Sequence, residues 1–210
     1  LNKAAEIIED ENLITIWNLG KSIWQEKQNA EADFEKKKEL GEYVEEYLRK
    51  ELRDELAGYE LKVNIDNMQG GQDIVISING KPIYYIEVKS RWITADSVMM
   101  SATQLDRSVE KKECYSLFAV DMVGFNGENV KEHIYPKSID DFVHRIRVVD
   151  NIGYLNDEIT PSKRDPNEEV HIGGDYKVIV PQNLIARNHI SYMEFIDQLK
   201  NKVRDSISKL

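Results

Sequence analysis

The stretch GGQDIVISINGKPIYYIEVKS, residues 70–90, decides the fold. Two runs of β-branched and aromatic residues flank Asn79-Gly80, a dipeptide suited to the left-handed backbone of a tight hairpin turn. A strand sends alternate side chains to opposite faces, so Glu87 and Lys89 share one face while Ile86 and Val88 share the other. Asp73 opens the first run and Glu87-Val88-Lys89 lies near the end of the second, with thirteen residues between the two carboxylates. Two carboxylates and a lysine at the open end of a hairpin suit a hard divalent cation, magnesium above all, with a positive charge beside it. Register decides whether they meet. A plain two-residue loop would place Asp73 opposite Ile86 and turn it away from Glu87, whereas one added residue places Asp73 opposite Glu87. The expected source is a three-residue turn with Gly80 left-handed and a one-residue bulge, the other route being a bend of the strand after Gly71.

Outward from the hairpin, residues 59–66 read as a preceding strand. Leu40, Val44, Tyr47, Leu48, Leu52 and Leu56 recur at helical spacing over 34–56, and Gly58 stops that helix. Ser101-Ala-Thr-Gln104 is a capping box opening a helix to about Lys112, and Tyr115–Val120 reads as a fourth strand. The order is helix, three strands, helix, strand, the mark of an α/β domain. Residues 1–33 read as one or two helices with Trp17 and Trp24 in the apolar stripe and a break at 18–22. Residues 138–148 read as a helix, 151–174 as a polar loop, 176–180 as a strand, and Ser191-x-x-Glu194 caps a helix running to the end. The division expected is 1–33 helical, 34–135 core, and 136–210 an extension packed on the core.

With 41% hydrophobic and 31% charged residues, the composition is that of a globular protein. A single cysteine, Cys114, excludes an internal disulfide framework and a cysteine zinc cluster, which fits a reducing compartment and makes cytoplasm the expected location. The four histidines show no metal-ligand spacing. A net charge of −10 opposes indiscriminate binding to nucleic acid. Residues 81–112 reverse that sign locally, with six basic residues against four acidic. The chain opens at Leu1 in a helical pattern and is expected to be part of a longer protein. Its last residues, Ser208-Lys209-Leu210, have the form of a peroxisomal address, which also arises by chance in a Lys-rich helix.

QDIVIS, YYIEVKSRW and MSATQLDRSVEKKECYSLFAVD together resemble the nuclease-like domain named after the C-terminus of the plant protein NO VEIN, within the PD-(D/E)xK superfamily and related to Mrr-type restriction nucleases. The resemblance implies a restriction-endonuclease-like αβββαβ core with a mixed central sheet, N-terminal helices and a C-terminal strand and helix. It implies a magnesium- or manganese-dependent nuclease acting on DNA, with RNA as the alternative substrate, as a domain of a larger defence or restriction-type protein, with a second copy of the chain as a candidate partner in a homodimer. A nuclease fold that has fallen silent and serves as a nucleic-acid-binding or protein-interaction module is the alternative. Carried over, Asp73 and Glu87 bind the metal with the Val88 carbonyl as a third ligand, Lys89 serves the attacking water and the transition state, and Gln104 supports from the next helix. The family's proline before the aspartate is Gln72 here. Its helix glutamate falls among Glu42, Glu45 and Glu46, with Glu45, at the edge of the buried stripe, preferred. Arg91 and Trp92 are candidate clamps on nucleic acid.

Overall fold

A computed structural model describes residues 21, 22, 24, 25, 35, 38, 41–59, 63–68, 72–91, 97–122, 143–159 and 177–209. The chain divides into two compact units, Leu1–Glu42 and Tyr43–Leu210. In the first unit residues 21, 22, 24 and 25 are helical; Trp24, assigned to the apolar stripe, is 60% exposed. Trp17 and residues 18–20 lie outside the described residues, and of the break expected at 18–22 the last two residues, 21 and 22, are helical.

The second unit begins with helical residues 43–56 (α1). Strands β1 (Val63–Met68), β2 (Gln72–Ile78) and β3 (Lys81–Arg91) follow, then β4 (Val98–Ser101), helix α2 (Ala102–Lys111) and β5 (Tyr115–Asp121). The five-stranded sheet runs β1-β2-β3-β5-β6, where β6 is Ile146–Val149. Its β3–β5 pair is parallel and its other pairs antiparallel, so the sheet is mixed as expected. A parallel neighbour requires a crossover, and α2 supplies it.

One face of the sheet, carrying Ile74, Ile76, Tyr84, Ile86, Val88, Phe118 and Val120, packs under α1 and the long helix α5 (Tyr192–Ser208). Phe118 meets Phe195 edge-on at 4.9 Å and Tyr192 at 6.3 Å, contacts each contributing about 0.5–1.5 kcal/mol beyond their buried area. The opposite face carries Val75, Tyr85, Tyr115, Leu117 and Ala119. It meets Val98 and Met100 of β4, Val180 of β7 (Lys177–Val180), Ile152 of α3 (Ile152–Ile159) and Ile185 of α4 (Gln182–Asn188). β4 and β7 pair as a separate two-stranded ribbon.

Two expectations beyond the core are corrected. Residues 146–148 are strand and not helix: Ile146 and Val148 are buried, Arg147 between them is exposed, and the segment completes the edge of β5. Such alternation of β-branched residues favours a strand once an edge is offered. The segment read as a loop from 151 holds α3, whose Ile152 and Asn156 are buried; residues 160–174 lie outside the described residues. Neither β4 nor α4 was anticipated.

Candidate active site

The hairpin turn is a two-residue loop, not the three-residue one expected: Ile78 faces Lys81, and Asn79 and Gly80 both take positive φ, 50° and 75°. The register shift nevertheless occurs, displaced into β3. Ser77 pairs with Pro82 but Ile76 pairs with Tyr84, leaving Ile83 as the extra residue of a bulge. Pro82 lacks an N–H, and the β3–β5 pairing starts only at Tyr85, so the proline lies where one side of β3 has no partner strand. Beyond the bulge, Ile74 faces Ile86. The same register carried one residue further sets Asp73 against Glu87. Both carboxylates lie on the α2 side of the sheet, with Val75 and Tyr85.

Glu87 is fully buried on that face. Its Oε1 accepts hydrogen bonds from Lys89 Nζ and from Gln104 Nε2, and its Oε2 accepts one from the Tyr115 hydroxyl at 3.4 Å. Asp73 Oδ2 lies 3.7 Å from Lys89 Nζ and accepts the Val88 N–H at 2.8 Å. The ladder between β2 and β3 has ended at Ile74–Ile86, so the aspartate side chain takes a donor that a backbone carbonyl would otherwise hold. In an extended strand a residue's C=O projects to the same side as its N–H, which turns the Val88 carbonyl toward this gap as well.

Two further elements hold the constellation. From α1, Arg49 donates to the Asp73 carbonyl at 3.2 Å while pairing with Glu46 at 3.0 Å. From α2, Gln104 completes the capping box, its Oε1 accepting the Ser101 N–H at 2.7 Å, while its Nε2 reaches Glu87. The capping role and the site role, competing readings of one residue in the sequence, are both filled. Of the helix glutamates, Glu46 is engaged by Arg49 and Arg53, whereas Glu45 is close enough for its charge to act on Lys89. Among the described residues no set of three or more His, Cys, Asp or Glu side chains is placed to hold a metal ion, so Glu45 does not join Asp73 and Glu87 in one cluster. Tyr115 and Arg49 were missed. Tyr115 reads in sequence only as an apolar strand residue, and Arg49 as one more surface charge on a helix. The Arg91 side chain and Trp92 lie outside the described residues.

The electrostatics state what the site lacks. Burial, then the neighbouring Asp73 charge, raise the Glu87 carboxyl from 4.5 to about 8, against the lowering effect of Lys89. Burial alone would lower the Lys89 ammonium, but Glu87 and Asp73 outweigh it and hold the lysine protonated. Burial, then the Glu87 charge, push the Tyr115 phenol upward, so it remains a donor. One cation therefore serves two carboxylates, and the shortfall of positive charge is what a hard divalent ion would correct. The donor set fits such an ion: two converging carboxylates and a carbonyl turned to the same gap.

Neither a curated protein nor a solved structure matches the chain. A family model does match, over less than half of it: residues 40–134 fit the family described as Protein NO VEIN, C-terminal. That stretch holds Glu45, Asp73, Glu87, Lys89 and Gln104 together, and over it the chain is similar to the NO VEIN C-terminal family, in line with the sequence resemblance.

Proposed function

We propose that this domain is a metal-dependent nuclease of the PD-(D/E)xK kind, hydrolysing phosphodiester bonds in DNA. The observation that carries the reading is the bulge at Ile83, which brings Asp73 into register with Glu87 and Lys89 on one sheet face. A plain hairpin would put them on opposite faces. Asp73 and Glu87, with the Val88 carbonyl, would hold magnesium or manganese. When bound, such a cation polarises the phosphodiester and acidifies a water.

The chain's own residues supply the rest. Lys89 keeps its proton and offers Nζ to the attacking water or to an oxygen on which negative charge builds. Gln104 and Tyr115 fix the Glu87 carboxylate from two sides, and Arg49 fixes the Asp73 main chain, so little rearrangement is needed as charge develops. The site lies at the end of β3, where the β2–β3 ladder has opened, and Lys89 and Asp73 are partly exposed. A strand can approach from that end. A silent binding module is the second reading, favoured by the absence of a three-carboxylate set among the described residues.

The test is calorimetric titration of Mg²⁺ or Mn²⁺ into wild type and Asp73→Ala, followed by plasmid nicking. Metal binding and nicking that both vanish in Asp73→Ala support the nuclease. Metal binding without nicking in wild type leaves the silent module.

A further inference from the structure

On the face that carries Glu87 and Lys89, the sheet continues into a cavity of about 220 Å³ lined by Ala119, Asp121, Arg147, Gln182, Ile185 and His189 among others. The register places it beside the candidate site. Lys89 pairs with Ala119 across β3 and β5, and Ala119 pairs with Arg147 across β5 and β6. Paired residues project to the same face, so Lys89, Ala119 and Arg147 form one row, two strand spacings or about 10 Å from end to end. Ala119, with only a methyl side chain, is the middle residue of that row. A side chain this small at the middle of the row leaves the space that α4 arches over.

Arg147 is exposed and makes no ion pair among the described residues. What holds it is His189, whose Nε2 lies 3.2 Å from Arg147 Nη1. His189 Nδ1 faces two carbonyl oxygens, those of Ile185 at 3.2 Å and Ala186 at 3.0 Å. Carbonyls only accept, so Nδ1 carries the proton and Nε2 presents a lone pair to the guanidinium. The imidazole thus orients the arginine without neutralising it. Asp121, on the same cavity wall, has interactions of its own. In a chain of net charge −10, a guanidinium that lines a cavity and has no carboxylate partner among the described residues is suited to an anion, and its planar fork matches two oxygens of a phosphate.

We propose that the cavity under α4 is a phosphate subsite, in which Arg147, oriented by His189, binds a phosphodiester of the strand whose neighbouring linkage lies at Asp73, Glu87 and Lys89. The proposal deepens the nuclease reading and rests on it for the identity of the strand. The measurement separates the two. Binding of a fluorescent single-stranded oligonucleotide to the full chain is followed by anisotropy in EDTA over a range of KCl concentrations, so that no cleavage is needed. Arg147→Gln should weaken binding about fivefold and lower the slope of log affinity against log salt by about 0.7, the loss of one phosphate contact. Arg147→Lys should keep the slope, since the charge remains, and Lys81→Gln, at the hairpin tip, should change neither quantity. Equal affinity and slope in wild type and Arg147→Gln overturn the subsite even if wild type nicks plasmid, and so does an Arg147→Lys protein that loses the slope. Oligonucleotide binding absent from wild type also overturns it. A reduced slope in Arg147→Gln, in a protein that nicks nothing with Mn²⁺, upholds the subsite and removes the cleavage reading alone.

Discussion

Glu87 is stabilised as an acid, whereas the proposed metal site would need its carboxylate, and that conflict has a measurable sign. Its carboxyl titrates at about 8 in the folded chain against an ordinary 4.5. The folded state therefore binds a proton that the unfolded state has released between those two values, and stability falls as pH rises through that window. Glu87→Gln removes the titration. Without metal, the variant should gain on the order of several kcal/mol relative to wild type between pH 5 and about 8, read from urea unfolding across that range; equal pH slopes in the two proteins would refute it. Lys89 makes the complementary case. Lys89→Ala removes no metal ligand and relieves competition for Glu87, so metal binding should persist or tighten. Nicking should fall about 10²-fold, on the order of 3 kcal/mol of transition-state stabilisation. Cleavage at the wild-type rate would exclude the lysine from the chemistry. At this scale Asp73, Glu87, Lys89 and Gln104 were legible because charged side chains in phase along an apolar strand, and a capping box, are patterns in one dimension. Tyr115 and Arg49 were not, since their partners lie 28 and 24 residues away in sequence and nothing in their own neighbourhoods differs from ordinary strand and helix surface.

Between elements, close approach is decided by glycines used for two unlike reasons. Gly80 sits at φ 75° with nothing within 4 Å of an added Cβ, so Gly80→Ala meets only backbone strain, about 1 kcal/mol. Gly153, at the start of α3, would put a Cβ 2.5 Å from the Ser108 carbonyl oxygen and 2.7 Å from Lys112 Cα. Those are backbone atoms and cannot swing aside. Gly153→Ala should force α3 off α2, strain the buried Asn156–Ser108 hydrogen bond of 2.8 Å, and cost up to about 3 kcal/mol. Thermal unfolding of the two variants should order them in that way; a Gly153→Ala protein as stable as Gly80→Ala would show that the helices have room. The hairpin, the place of its turn and both capping boxes were legible because their signals are local, whereas the length of the turn was not. The bulge was foreseen as a needed shift but assigned to the turn, because the proline that marks its place has meaning only once the end of β5 is known. The segments containing β6 and α3 were misread for a related cause: each is short, and each takes its form from a neighbour already in place, β5 for the strand and α2 for the helix.

Across the second unit as a whole, the order from α1 to β5 was legible except for β4, as was the helix that closes the chain, whereas the way the C-terminal segment completes the sheet was not. Strand order is a pairing of distant segments, and β6 joins β5 only after the intervening 122–145 has been spanned. One consequence of this assembly can be read in global stability. The proposed metal ligands come from two strands clamped between α1 and α2, so the proposed site would exist in the folded state and not in the unfolded chain, and a cation bound there would stabilise folding by mass action. At a hundred times the dissociation constant the gain is about 2.7 kcal/mol, which in a chain of this size raises the unfolding temperature by roughly 5–10 °C. Asp73→Asn is the matched control: its amide oxygen can still accept the Val88 N–H, so the strand end stays closed, but the charge that draws the cation is gone. Mg²⁺ or Mn²⁺ should therefore raise the melting temperature of wild type and leave that of Asp73→Asn nearly unchanged. Calcium, equally hard but larger and tolerant of irregular oxygen cages, should also stabilise wild type while supporting little cleavage, which separates occupancy from chemistry. Equal metal-induced shifts in wild type and Asp73→Asn would place the cation elsewhere and leave the carboxylate pair as a buried structural acid.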